Sequence, residues 1–234
     1  MKICNDHNRY ETRGIIVILM LLVGMLDASG QSHAGFSERD VTQQVYFFYL
    51  HGGIVQEQGR SAVSDQFGPY RYQDIVDTLR TLGYKVISEV RPKGTVEIEY
   101  SVKVAGQVDS LLKIGIRPEN IIIAGASQGA YIAIEVAWKV KNPKIRYVIM
   151  ALCWEYSLEY FSKYKTGFCG NFLSIYERSD RKGSCNELLK NNVCMSGYKE
   201  IVLAMGNGHG FIFRPYPEWI LPIVEWSKTV KEDK

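Results

Sequence analysis

Ser127 lies in the string Gly125-Ala126-Ser127-Gln128-Gly129, with the apolar run Asn120 to Ala124 before it and the helix-forming stretch Gln128 to Val140 after it. A serine hydroxyl is a poor nucleophile at neutral pH, so this setting means chemistry only if a base, a carboxylate to hold the base, and N–H donors for a developing oxyanion are also supplied. The chain has four histidines. His7 and His33 belong to the N-terminal stretch, and His51 precedes the serine inside His51-Gly52-Gly53-Ile54, where it is expected to brace a loop. His209, in Gly206-Asn207-Gly208-His209-Gly210 after the last apolar run, is the expected base. Between serine and histidine, Glu177-Arg178-Ser179-Asp180 offers two carboxylates. Asp180 is the expected acid because it stands past the end of a strand, where a carboxylate can reach around to the far ring nitrogen. Glu177 is the alternative acid, with Asp180 then capping the next helix. The amide of Gln128 and that of Gly53 or Ile54 are the expected oxyanion donors. Gly125 and Gly129 flank the serine so that neighbouring backbone can approach it without a side chain in the way. Together these residues describe acyl transfer to water through a covalent acyl-serine.

Such groups must be held at one edge of a rigid scaffold, and the hydropathy pattern supplies one. Short apolar runs alternate with longer amphipathic ones from Val45 onward, which is the pattern of a mainly parallel sheet with crossover helices. The expected strands are Val45 to Leu50, Tyr84 to Val90, Asn120 to Ala124, Arg146 to Leu152, Phe172 to Tyr176 and Glu200 to Ala204. The expected helices are Tyr70 to Leu82, Ile98 to Ile114, Gln128 to Val140, a short Ser184 to Asn191, and a closing Pro217 to Val230. Glycines at 83 and 115 stop two of the helices, and Pro217 suits a first helical turn. The stretch from Cys153 to Asn171 is short for a cap over a site at this edge. Its aromatics Trp154, Tyr156, Tyr160, Phe161 and Tyr164 either line a substrate mouth or, the preferred reading, pack a helix on the body.

The 234 residues, 46% of them hydrophobic, suit one globular domain over 45–234 behind a short linker at 31–44. Residues 1–30 read as a signal peptide or an N-terminal anchor. Gly14 to Leu26 is unbroken apolar sequence preceded by Lys2, Arg9 and Arg13, shorter than the roughly 20 residues that span a bilayer, and small residues follow it. Both versions place the domain outside the cytoplasm, periplasmic or extracellular, and the second tethers it to a membrane. Of five cysteines, Cys153, Cys169, Cys185 and Cys194 fall in the domain. They allow two disulfides in three connectivities or four buried thiols, and Cys185 and Cys194 are near enough in sequence to close a small loop. A net charge of +3 without a basic, aromatic-interleaved groove argues against nucleic acid. The chain shows no Cys/His ligand spacing, so neither a metal nor another cofactor is expected.

The ordered set Ser127, Asp180 and His209, with His51-Gly52-Gly53 upstream, resembles the α/β-hydrolase superfamily across nearly all of the domain. The strings VYFFYLHGGIV, VISEVRPKGT, IYERSDRKGSC and GNGHGFIFRPYPEW look like a small group of exported proteins within it. The resemblance implies a three-layer α/β fold with about six strands and a minimal cap, and a small-molecule ester as substrate. Two departures stand out: there is little room for the early antiparallel strand pair of larger members, and the cap is short. A rival reading is an exported binding protein that keeps the fold and holds an acylated or glycan ligand. A third gathers Arg60, Arg71, Arg91 and Lys93 into an anion site, against the expectation that charges at strand ends are solvated.

Overall fold

Strands buried on both faces carry apolar residues at every position, and that accounts for the unbroken runs in this chain. The computed structural model describes residues 43–162, 167–190 and 192–229. The expected export segment 1–30, most of the linker 31–44, and Tyr164 lie outside them. No helix among the described residues is long and apolar enough to cross a membrane.

Six strands form the sheet: β1 (Tyr46–Leu50), β4 (Lys85–Ile87), β5 (Ile121–Ala126), β6 (Arg146–Met150), β7 (Gly170–Glu177) and β8 (Met195–Leu203). Their order is β4-β1-β5-β6-β7-β8, and every neighbouring pair is parallel. Two further strands, β2 (Val63–Ser64) and β3 (Gly68–Pro69), make a separate antiparallel hairpin. The helices are α1 (Gly53–Gln58), α2 (Tyr72–Thr81), α3 (Glu97–Lys113), α4 (Gln128–Val140), α5 (Glu155–Ser162), α6 (Asn186–Leu189) and α7 (Pro217–Thr229), with 3-10 turns at Pro118–Asn120 and Gly208–Phe213.

Alternation along the strands divides the core into two layers. Phe47, Tyr49, Ile122, Ala124, Val148, Met150, Leu173 and Ile175 pack with Ile75, Val76 and Leu79 of α2 and with Trp219, Ile223 and Trp226 of α7. Phe48, Leu50, Ile121, Ile123, Tyr147, Ile149 and Phe172 face the other way, toward Val104 and Val108 of α3 and the small-residue face of α4. This is the expected three-layer arrangement, with α5 as the minimal cap.

The structure differs from the sequence reading at several elements. β4 covers only Lys85–Ile87 of the expected Tyr84 to Val90, and α6 only Asn186–Leu189 of the expected Ser184 to Asn191. β8 begins at Met195, five residues before the expected Glu200, because the edge strand mixes exposed and half-buried positions and its first half is polar. Helix α1 and the β2–β3 hairpin were not expected, being too short for a periodic signal. The disulfides are Cys153–Cys185 and Cys169–Cys194, so Cys185 and Cys194 are not partners. Cys169 and Cys194 precede the paired residues Gly170 and Met195, which sets them side by side at the start of adjacent strands. Cys153 pairs by backbone with Gly183, and that brings Cys185 to it.

Candidate active site

Ser127 stands between the last residue of β5 and the first of α4 with φ 53° and ψ −114°, a conformation that costs a non-glycine residue of order 1–3 kcal/mol. Its amide donates to Met150 O at 2.9 Å, tying the turn to β6. The flanking glycines are needed for close approach. A Cβ on Gly129 would stand 1.9 Å from Leu50 O, and one on Gly125 would stand 2.3 Å from Gly129 O, so α4 leaves the sheet with its backbone against β1. Gly129→Ala is therefore expected to destabilise the fold by about 3 kcal/mol, seen as a lower urea midpoint at unchanged slope. An unaltered midpoint would contradict this packing.

The structure brings Ser127, His209 and Asp180 together. Ser127 Oγ lies 3.0 Å from His209 Nε2, and His209 Nδ1 lies 2.7 Å from Asp180 Oδ2. With Asp180 as acceptor, Nδ1 carries the ring proton and Nε2 is left to accept from the serine hydroxyl. Asp180 is 4% exposed and His209 24%, so the carboxylate is shielded while the ring faces a cleft. Lys182 N–H donates to Asp180 Oδ1 at 3.1 Å and holds the carboxylate's other oxygen. His209 sits in the 3-10 turn Gly208–Phe213, at the end that follows β8.

Glu177 does not touch His209. It ends β7 at 1% exposure and accepts Ser179 N–H at 2.7 Å, the Ser179 hydroxyl, Met205 N–H at 3.1 Å and Gly206 N–H at 3.2 Å. Burial alone would push its carboxyl up, but these hydrogen bonds outweigh it and hold the group below the ordinary carboxylate range. Gly208 N–H donates to Ser179 Oγ at 3.1 Å, so one buried carboxylate organises both the turn bearing Asp180 and the loop bearing His209.

Gly53 and Ile54 occupy the first turn of α1 and Gln128 that of α4, where amides have no acceptor in their own helix. The two segments abut: a Cβ on Gly53 would lie 3.7 Å from Gln128 Cβ and 3.1 Å from Gln128 Oε1. His51, fully buried, braces the loop as expected. Arg91 N–H donates to its Nε2 at 3.0 Å, leaving Nδ1 to donate to Gly52 O at 2.8 Å. Burial and the Arg91 charge lower its pKa to about 3, so the ring stays neutral.

Arg91 was read from sequence only as one of four cations at strand ends, and the structure separates it from the rest. Arg60 meets Gln73, Arg71 meets Asp74 and Lys93 meets Glu57, each with substantial exposure. Arg91 is 1% exposed and donates to His51 O at 2.6 Å, Gln56 Oε1 at 3.0 Å and Gln128 Oε1 at 3.3 Å. It clamps the 51–56 segment to the start of α4. Ser179 and the hairpin residue Phe67, which packs 6.4 Å from the His209 ring, were missed as site residues, and Arg91 was named only in the anion-site reading. Their roles depend on contacts between distant segments, and only the polar run at 177–180 carried a local hint.

Two clefts meet at Ser127. One, of about 320 Å³, is walled by Val96, Ile98, Tyr131, Tyr156 and Tyr160, with the polar side chains Glu97, Gln128, Glu135 and Lys182 among them. The other, of about 660 Å³, is polar and includes Gln66, Asp180, Arg181, Lys182 and His209. The cap aromatics thus divide between the two expected roles, since Phe161 is fully buried against the body while Tyr156 and Tyr160 face the first cleft.

No protein-family model matches the chain, and no curated protein matches its sequence. Solved structures do match in three dimensions. The crystal structure of Arabidopsis thaliana SOBER1 is similar over 79% of this chain and 98% of its own, at 14% identity and a TM-score of 0.51. That of a YdeN-like hydrolase from Pectobacterium atrosepticum is similar over 81% and 94%, at 14% identity and a TM-score of 0.50. At this identity the likeness is one of fold.

Proposed function

We propose, on the premise that this chain adopts the α/β-hydrolase fold, that it is a serine hydrolase cleaving a carboxylic ester through an acyl-enzyme. The observation that carries this reading is the continuous contact from Asp180 through His209 to Ser127, at 2.7 and 3.0 Å, on a strained turn at the carboxyl edge of the sheet. Ser127 Oγ attacks the ester carbonyl as its proton passes to His209 Nε2. Asp180 stabilises the imidazolium, and the amides of Gln128 and of Gly53 or Ile54 hold the oxyanion. The tetrahedral adduct collapses by expelling the alcohol with the proton from Nε2. Water, deprotonated by His209, then releases the carboxylic acid. An ester asks least of this relay, because both leaving groups take one proton from Nε2 but an alkoxide is a far better leaving group than an amide anion, so proton transfer need be less complete before it departs.

The two disulfides and the apolar run Gly14 to Leu26 support export to an oxidising compartment, by a cleaved signal or a membrane tether. The activity is tested with short-chain aryl esters, comparing wild type with Ser127→Ala. Hydrolysis that depends on Ser127 is expected, and hydrolysis that survives the substitution overturns the reading. Absence of hydrolysis by a folded wild type would favour the binding-protein alternative.

A further inference from the structure

The relay leaves three charged side chains of the smaller cleft, Glu97, Glu135 and Lys182, without a role, and Glu135 is the buried one among them. It lies on α4 eight residues after Ser127, is 3% exposed, and forms part of the wall of the cleft that also holds Ser127. One carboxylate oxygen accepts Lys139 Nζ at 2.8 Å, and the other, Oε1, has no hydrogen-bond partner. Its neighbours on the helix, Ile134 and Val136, are fully buried. A carboxylate oxygen taken out of water without a donor is costly, so a group that brings a donor to it gains more than it would at an exposed site.

The relay fixes which part of an ester enters this cleft. The leaving oxygen must receive its proton from His209 Nε2, and His209 lines the polar cleft, not this one. The alcohol therefore departs on the His209 side and the acyl group points the other way, between Tyr131, Tyr156 and Tyr160. Eight residues at about 1.5 Å rise put Glu135 about 12 Å along the axis from Ser127, and helical side chains lean back toward the N-terminus. Because Lys139 already balances the charge of Glu135, the vacant acceptor suits a neutral donor better than an ammonium.

Resting on the serine hydrolase reading, we propose that the aromatic cleft is the acyl pocket and selects an apolar, ring-sized acyl group with a hydroxyl at its far end, donated to Glu135 Oε1. The volume of about 320 Å³ admits a ring on a short spacer.

The test uses three 4-nitrophenyl esters that differ only at the tip: 3-phenylpropanoate, 3-(4-hydroxyphenyl)propanoate and 3-(4-methoxyphenyl)propanoate. Wild type is expected to show kcat/KM at least about tenfold higher for the hydroxyl ester than for the other two. In Glu135→Met that ratio is expected to fall to about one, whereas Glu135→Gln, which keeps an acceptor oxygen, retains part of it. Each ratio is internal to one protein, so a loss of folded fraction does not alter it. If Glu135→Met yields no folded protein, the wild-type and Glu135→Gln ratios decide. Equal turnover of all three esters by wild type, or a preference that persists in Glu135→Met, overturns the acyl-pocket assignment and leaves the serine hydrolase reading intact. No turnover of these esters or of 4-nitrophenyl acetate overturns both.

Discussion

Ser127→Ala is expected to lower kcat on short aryl esters about a million-fold. Without Oγ no acyl-enzyme forms, and His209 is left beside a methyl group with nothing to deprotonate at the reacting carbon. The oxyanion donors and both clefts remain, so the residual rate stays above that in water and KM changes little. The loss is one of chemistry, not of fold: alanine keeps the φ of 53° and the amide bond to Met150 O, and the melting temperature should stay within a few degrees of wild type. Titrating the active fraction by 4-nitrophenol release, next to a thermal melt, measures both quantities. A variant that retains even a tenth of the wild-type rate would remove Ser127 from the mechanism.

Two carboxylates lie within one turn of each other, and their substitutions are expected to fail in different ways. Asp180→Asn should cost about ten-thousand-fold in kcat near neutral pH, because an amide nitrogen facing Nδ1 favours the wrong ring tautomer and cannot stabilise the imidazolium. The fold should survive, since Lys182 N–H still has an oxygen to meet. Glu177→Gln acts on stability. Four donors, from Ser179 N–H and O–H, Met205 N–H and Gly206 N–H, converge on the Glu177 carboxylate, and glutamine offers them one oxygen and a competing NH2. The expected cost is about 3 kcal/mol, or about 10 °C in Tm. The pH dependence has a definite sign. The Glu177 carboxyl sits below its ordinary value in the fold, so its contribution is present above the unfolded carboxylate pKa and is lost as pH falls through the lower folded value. Wild type should therefore lose stability in that acid window, and Glu177→Gln should lose less there. Thermal melts across pH and kcat at low temperature separate the two variants. A folded Glu177→Gln protein as inactive as Asp180→Asn, paired with an active Asp180→Asn, would exchange the roles.

Much of this architecture was legible because it rests on local chemistry. The run Ile121–Ile123 is apolar at every position because β5 is the third strand of six and is covered on both faces. The strings around Ser127 and His209 carry glycines, and at Gly125 and Gly129 those glycines mark backbone contacts too close for a Cβ. What remained hidden depends on segments far apart in sequence. The buried Arg91 clamp joins residues 35 to 40 positions away, and nothing near Arg91 distinguishes it from the exposed Lys93. The cysteine pairing follows from strands that start side by side, where sequence proximity pointed to Cys185 and Cys194. Ser179 looks like an ordinary polar turn residue until the loop after β8 closes on it. Nothing in the sequence around Glu135 singles it out, and only the packing of α4 against its neighbours shows that it is buried.

The proposed relay stands on the activation of Ser127 by His209. Its most direct test is incubation of the folded protein with a fluorophosphonate, followed by peptide mapping by mass spectrometry, with Ser127→Ala in parallel. One adduct is expected, on Ser127, and none on the variant. A folded wild-type protein that takes no adduct, or takes it on another serine, would contradict the relay.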